Sequence, residues 1–292
     1  MQHDLIPTCY FPSMVLFLDD GNDFLLNVVL QLDERVAYRL FDMPIEALNF
    51  ISNYRYEFGL FSRHCLSEYQ EAQQHSNKTL QIDLAALHAE VYNPYRFSEL
   101  SVLVVDIAAR DMGGLAFCRR IENRMIKKIL LINREDEACA KQALDEGSID
   151  CYIYKNEFHL VDLIKKNIER LQWCYFLGMS AMVARLLPVE LPVCLRDQAF
   201  EKFFTRFREK KGIIEYYLID NAGGFLMLDE DAYANILIIK PEEDRQSSCF
   251  IGEKSYAYSY ESHYPLFSLR QKKILSYHRY LEELDADELF VL

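Results

Sequence analysis

Five polar side chains stand at or directly after the ends of apolar runs in this 292-residue chain; they are Asp19, Asp20, Asp106, Asn133 and Lys155. Apolar runs of this length, bounded by turn residues, are typical of strands that are buried on both faces of a parallel sheet. In an open α/β sheet, functional groups collect outside the carboxyl ends of the strands. A strand order of 2-1-3-4-5 would therefore gather these five side chains in one place.

Three carboxylates held close together repel one another unless a cation lies among them. Mg²⁺ prefers oxygen ligands and would offset the repulsion between the carboxylates, and Lys155 adds a second positive charge. An aspartate nucleophile beside a metal ion and a lysine suits phosphoryl transfer, in which the cations neutralise the phosphoryl oxygens. The sequence therefore predicts a magnesium-dependent phosphoryl site.

Alternating strands and helices over residues 13–172 would position this site. The alternation predicts an α/β fold with a doubly wound, five-stranded parallel sheet. The predicted strands are 13–18, 36–41, 100–106, 129–133 and 151–155, and the predicted helices begin near 22, 44, 114, 136 and 157. Residues 53–99 interrupt the alternation, and we interpret them as a helical insertion. The last helix is expected to reach about residue 187, where Pro188 stops it.

A second domain of a different class is predicted after this helix. We expect a first domain over residues 10–175, a helical linker over 176–189, and an α+β domain with an antiparallel sheet over 190–292. Its predicted elements are a helix at 197–211, a hairpin of 213–219 and 225–228, strands at 235–239 and 256–260, and a helix at 268–284. The strand at 256–260 follows from alternating tyrosines.

Composition limits the possible partners. The formal net charge is −13, which disfavours binding to nucleic acid. No apolar stretch is long enough for a membrane span, and the start of the chain does not resemble a secretory signal. The eight cysteines include no Cys-x-x-Cys pair, a pattern typical of free thiols in a reducing cytoplasm. We therefore expect a cytoplasmic protein.

The segment 104–115 resembles the phosphoacceptor segment of bacterial response-regulator receiver domains, which have a CheY-like, flavodoxin-like fold. The Asp-Asp pair after the first strand, the lysine after the fifth and Tyr152 before that lysine also match this family. The resemblance implies that Asp106 is the phosphoacceptor. It further implies that Asp20, Asp106 and the Ala108 backbone carbonyl hold Mg²⁺, with Asp19 supporting them.

The resemblance also implies roles in phosphoryl binding and switching. Lys155 and Asn133 would bind the phosphoryl group, and Asn133 and Tyr152 would occupy the switch positions. Three residues depart from the family pattern. Arg110 and Asn156 stand where the family usually has proline, and Asn133 replaces the usual threonine or serine.

This resemblance predicts a response regulator of a two-component phosphorelay. Asp106 would receive a phosphoryl group from a sensor histidine kinase or a phosphotransfer protein, and the C-terminal module would pass the signal on without enzyme activity of its own. The long helix could also pair two copies of the chain in a homodimer. The inserted receiver is similar to those of a quorum-sensing-associated group of response regulators. The alternative is a scaffold with a degenerate receiver that works only by binding proteins or a small ligand, independently of phosphorylation.

Overall fold

The computed structural model describes residues 6–19, 24–32, 36–57, 87, 90–93, 95–186, 190–221, 223–238 and 272–276. These residues fall into two compact units. The first unit lies within residues 11–82 and 89–186, and the second lies within 1–10, 83–88 and 187–292.

The strands, in chain order, are β1 (Cys9–Tyr10), β2 (Met14–Leu18), β3 (Tyr38–Phe41), β4 (Leu100–Asp106), β5 (Lys127–Ile132), β6 (Cys151–Tyr154), β7 (Ile213–Leu218), β8 (Phe225–Asp229), β9 (Ala234–Ile238) and β10 (Lys272–Ser276). The α-helices are α1 (Phe24–Val29), α2 (Pro44–Glu57), α3 (Gly114–Arg120), α4 (Glu137–Asp145), α5 (Leu160–Leu186) and α6 (Gln198–Lys211). Short 3-10 helices cover Glu90–Tyr92, Arg96–Ser98, Arg134–Asp136 and Val193–Arg196.

The first unit contains a five-stranded sheet in the order β3-β2-β4-β5-β6, and every neighbouring pair in it is parallel. This arrangement confirms the predicted doubly wound sheet with strand order 2-1-3-4-5. Leu18 at the end of β2 is in register with Val105 of β4, and Ile132 at the end of β5 is in register with Tyr154 of β6. The carboxyl ends of the strands therefore meet along one edge.

Helices cover both faces of this sheet, which explains why its central strands are buried and almost entirely apolar. All five residues of β2 and all seven of β4 are buried. On one face, Leu16 belongs to a core cluster with Phe117 of α3, and on the other face Phe17 belongs to a cluster with Ile164 of α5. Within the part of the chain that the structure describes, no helix has the length and apolar character needed to cross a bilayer.

The predicted insertion at 53–99 is described only at its two ends. α2 continues to Glu57, and the two 3-10 helices at 90–92 and 96–98 lead into β4. Most of the stretch between them lies outside the described residues.

The second unit contains a sheet in the order β1-β7-β8-β9-β10. The pairs from β1 to β9 are antiparallel, which confirms the predicted hairpin and antiparallel sheet. α6 is amphipathic, and it begins where the Asp197 carboxylate accepts the backbone N–H groups of Ala199 and Phe200. Phe200 and Phe204 of α6 pack against Phe225 of β8.

Two features of the second unit differ from the sequence analysis. The predicted helix at 268–284 is wrong at residues 272–276, because these form β10, which pairs in parallel with β9. Strand β1 was not predicted, and its two residues join this sheet by pairing with Tyr216 and Tyr217. The strand expected at 256–260 lies outside the described residues.

Candidate functional site

The carboxyl edge of the parallel sheet brings together three of the predicted site residues. Asp106 is the last residue of β4, Asp19 directly follows β2, and Lys155 directly follows β6. Both carboxylate residues are buried. Because Leu18 and Val105 are in register on adjacent strands, Asp19 and Asp106 leave their strands at the same level. Asp20 lies outside the described residues.

Asp106 forms an ion pair with Lys155. The Lys155 Nζ lies 2.5 Å from Asp106 Oδ2, and the side chains are 21% and 3% exposed, respectively. The other carboxylate oxygen, Oδ1, accepts the backbone N–H of Ala108 at 2.8 Å. The backbone N–H of Lys155 donates to the Ile132 carbonyl at 2.9 Å, which fixes the start of the loop after β6. The pair is charge-assisted, with a buried acid and a partly exposed base.

Asp19 is tied to the first turn of α1. Its Oδ2 accepts the backbone N–H of Leu25 at 3.1 Å. The backbone N–H of Asp19 donates to the carbonyl of Phe41 at the end of β3, at 3.1 Å. Asp19 therefore has a fixed position between β3 and α1, beside the strand that carries Asp106.

The loop after Asp106 requires a glycine at position 114, because the backbone there passes very close to the backbone of Asp106. A Cβ atom on Gly114 would lie 2.1 Å from the Asp106 carbonyl oxygen. Gly114 also donates its N–H to the Ile107 carbonyl at 3.0 Å, which closes the loop onto the end of β4. The start of α3 and the backbone of Asp106 therefore share the same small space, and any side chain at Gly114 would move Asp106.

Asn133 and Tyr152, the two predicted switch residues, have different environments. Asn133 follows β5 on the same edge as Asp106, and its backbone N–H donates to Asp136 Oδ2 at 3.2 Å at the start of the turn that leads into α4. Tyr152 lies within β6, is half-buried, and packs against the core cluster below α3 and α4. Its ring is 5.9 Å from that of Tyr154. Their switch roles stay predictions.

The donor set at this edge suits a hard cation such as Mg²⁺. Asp19 and Asp106 supply two buried carboxylates at the ends of adjacent strands, and carboxylate oxygens are ligands that Mg²⁺ prefers. Among the described residues, no group of three histidine, cysteine, aspartate or glutamate side chains is placed to hold a metal. The third predicted carboxylate, Asp20, is not among those residues.

Sequence reasoning missed one neighbour of the ion pair. The Lys155 Nζ lies 5.9 Å from the centre of the Phe24 ring, at the first residue of α1. Phe24 was assigned only to a helix, because an apolar residue at the start of an amphipathic segment predicts core packing. An aromatic residue shortly after the Asp-Asp pair was the available signal.

Comparison with known proteins connects this geometry to a family. The structure of the response regulator LqsR from Legionella pneumophila is 41% identical in sequence, covers 100% of both chains, and matches with a TM-score of 0.71. The receiver domain of the Francisella response regulator 1452 is 14% identical, covers 55% of this chain and 96% of its own, and has a TM-score of 0.34. An adenylate cyclase from Rhodopirellula baltica is 17% identical, covers 58% and 94%, and has a TM-score of 0.38.

No family model and no curated protein matches the chain. The family assignment therefore depends on the full-length match, and two independent features agree with it: the parallel strand order, and the meeting of Asp19, Asp106 and Lys155 at the carboxyl edge. The chain belongs to the response regulator family.

Proposed function

We propose that this response regulator accepts a phosphoryl group on Asp106 from a sensor histidine kinase or a phosphotransfer protein. The observation that carries this proposal is the ion pair between the buried Asp106 carboxylate and Lys155, at the carboxyl edge of the parallel sheet. The buried Asp106 carboxylate, paired with one lysine, suits a nucleophile whose product carries additional negative charge.

In the proposed step, a carboxylate oxygen of Asp106 forms a bond to phosphorus while the bond from phosphorus to the donor's histidine nitrogen breaks. The electron pair of the broken bond stays on that nitrogen. The Lys155 ammonium attracts the transferred phosphoryl oxygens, and the Ala108 N–H holds the carboxylate in a fixed orientation. Asn133 would offer an amide donor to the same group.

Mg²⁺ would be held by Asp20, Asp106 and the Ala108 carbonyl, with Asp19 in support. When bound, the ion neutralises negative charge on the phosphoryl oxygens. Asp19 would act from the end of β2, where the Leu25 N–H holds its carboxylate in place.

Phosphorylation would then bias the conformation of the Asn133 and Tyr152 region and of α5, and so change binding by the C-terminal module or pairing of two chains. That module would act by binding and not by catalysis. We place the protein in the cytoplasm. We assign its signal to quorum sensing because its inserted receiver resembles those of quorum-sensing-associated response regulators.

The experiment is acyl-phosphate labelling of the full chain with a small phosphodonor in the presence of Mg²⁺. The wild type should be labelled, and Asp106→Asn should not, because the amide is not a nucleophile of comparable strength. Asp111→Asn is the matched control, since Asp111 is an exposed carboxylate in the same loop and should be dispensable. Labelling of Asp106→Asn would contradict the assignment of the acceptor.

An unlabelled wild type would instead favour the scaffold that acts independently of phosphorylation. Titration with Mg²⁺ and beryllofluoride gives a second measure, read from the fluorescence of Trp173 on α5. The phosphorylation-dependent protein should respond to this titration and Asp106→Asn should not, whereas a scaffold need not respond.

A further inference from the structure

The first turn of α1 contacts both sides of the phosphoryl site. The backbone N–H of Leu25 donates to Asp19, and the ring of the preceding residue, Phe24, lies 5.9 Å from the Lys155 ammonium. Phe24 is half-buried and packs against the core cluster that contains Phe17 and Ile164. The ring is therefore held by the core on one side and meets a cation on the other.

We propose that Phe24 is a positioning residue for Lys155, and that its ring keeps the ammonium beside Asp106 during phosphoryl transfer. This inference rests on the proposed function. The face of an aromatic ring carries partial negative charge and attracts a cation within about 6 Å. The ring cannot accept the phosphoryl group and cannot be displaced by water, so it restricts the ammonium without competing for the reaction.

The physical basis is the flexibility of lysine. A lysine side chain has four rotatable bonds and loses considerable entropy when its ammonium is fixed. Lys155 is 21% exposed, and the carboxylate of Asp106 is its ion-pair partner in the resting protein. Once Asp106 carries a phosphoryl group, that carboxylate charge is replaced by a group of different size. The Phe24 ring is then the contact that does not change and that keeps the ammonium near the new oxygens.

The test is the labelling rate of Phe24→Leu, which keeps an apolar side chain against the core but removes the aromatic face. We expect labelling by a small phosphodonor to slow by about two- to fivefold, the range that corresponds to an exposed cation–π contact. Phe24→Trp should restore the rate. Phe158→Leu is the matched control, because Phe158 is a fully solvent-facing aromatic in the loop that follows Lys155 and should leave the rate unchanged.

A double-mutant cycle with Lys155→Met separates positioning from packing. In the Lys155→Met background, Phe24→Leu should cause no further slowing of labelling. Urea unfolding of the four proteins should show that positions 24 and 155 are coupled, by about two- to fivefold in the unfolding equilibrium constant. Provided that the wild type is labelled, equal slowing by Phe24→Leu in both backgrounds, or no slowing at all, would overturn this inference. A wild type that cannot be labelled would contradict the proposed function itself.

Discussion

Buried polar groups have different partners at the carboxyl edge of the parallel sheet and at its amino edge, where the strands begin. At the carboxyl edge, the buried Asp106 carboxylate pairs with the partly exposed Lys155 ammonium, and the buried Asp19 leaves the adjacent strand at the same level. At the amino edge, neutral groups satisfy one another. The Ser13 and Ser101 hydroxyls lie 2.7 Å apart, and the Gln172 side-chain amide donates to the Ser13 carbonyl at 2.9 Å. The three residues are buried, and they connect β2, β4 and α5.

The amino edge also holds a buried acid, Glu99, which accepts hydrogen bonds from two tyrosine hydroxyls. It accepts the hydroxyl of Tyr54 from α2 at 3.4 Å and the hydroxyl of Tyr175 from α5. The Tyr54 hydroxyl in turn accepts the backbone N–H of Leu100 at 3.0 Å. Glu99 thereby joins three elements at the base of the sheet.

The difference indicates which polar groups stabilise the fold and which serve chemistry. A buried carboxylate that accepts hydrogen bonds from several elements holds those elements together, because each lost partner leaves an unsatisfied buried group. A carboxylate beside one accessible cation keeps room for a reactant. Variants at the amino edge should therefore lower stability without affecting labelling, and the reverse should hold at Asp106.

The largest effect is expected for Glu99→Leu. The substitution leaves the Tyr54 and Tyr175 hydroxyls without their acceptor inside the protein, which should lower the free energy of unfolding by about 2–4 kcal/mol. The measurement is urea denaturation followed by circular dichroism. Labelling of the folded variant by a small phosphodonor should match the wild type.

Asp106→Asn should affect labelling and stability in the opposite way to Glu99→Leu. It should abolish labelling while leaving a cooperative unfolding transition. The contrast between the two edges would be wrong if Glu99→Leu blocked labelling of the folded protein, because the amino edge would then take part in the chemistry.

Gly114→Ala should produce a smaller change that affects both properties together. The added Cβ meets the carbonyl oxygen and carbon of Asp106 at 2.1 and 2.8 Å, and backbone atoms cannot move away as a side chain can. Overpacking of this kind costs about 1–3 kcal/mol. Because the displaced atoms belong to Asp106 itself, the labelling rate should also fall.

Gly178→Ala is the matched control for this substitution. Its new Cβ would meet only the end of the Met125 side chain, at 2.9 Å, which can change rotamer. We expect stability and labelling close to the wild type. If Gly114→Ala behaved like Gly178→Ala, the close approach of α3 to Asp106 would not control the site.

The carboxyl edge was predictable from the sequence because its residues interrupt apolar runs. Asp106 ends the strongest apolar run in the chain and Lys155 follows a shorter one, and topology then brings these residues together. The amino edge was not predictable. Ser101 lies inside an apolar strand, and Glu99 and Gln172 are ordinary residues for a loop and a helix surface. Their pairing depends on packing between distant segments.

Two strands of the second unit were missed for a related reason. Residues 272–276 contain lysines and leucine, which favour helices weakly, and the parallel pairing with β9 outweighs that preference. β1 has only two residues, too few for any periodic pattern. It forms because β7 offers backbone partners to Cys9 and Tyr10. Local patterns therefore describe the first unit better than the second.

The smallest effect is expected at Lys128, a buried lysine of the same sheet whose Nζ is hydrogen-bonded to backbone carbonyls. That Nζ donates to the backbone carbonyls of Cys118 and Ile121 at 2.9 and 3.0 Å, at the end of α3. Burial lowers the pKa of Lys128 below its ordinary value, and burial also raises the pKa of the Cys118 thiol to about 12, so that the thiol stays neutral. Burial thus makes the charged form of Lys128 less favourable than it would be in water.

The pH dependence of stability follows from this lowered pKa. Between the folded pKa of Lys128 and the unfolded value of about 10.4, the unfolded chain binds more protons than the folded chain. The contribution of Lys128 to the free energy of unfolding should therefore rise with pH through that window, as the neutral amine still donates to both carbonyls, while the raised pKa of the Cys118 thiol contributes in the opposite direction. Lys128→Met should remove this rise and should lower stability at neutral pH by about 1 kcal/mol, because the lost hydrogen bonds slightly outweigh the relief of burying a charge. Urea denaturation of both proteins across the window measures the effect. An identical rise in Lys128→Met would show that another group titrates in this window. The labelling rate at neutral pH should be the same in the wild type and in Lys128→Met, because Lys128 lies away from the carboxyl edge.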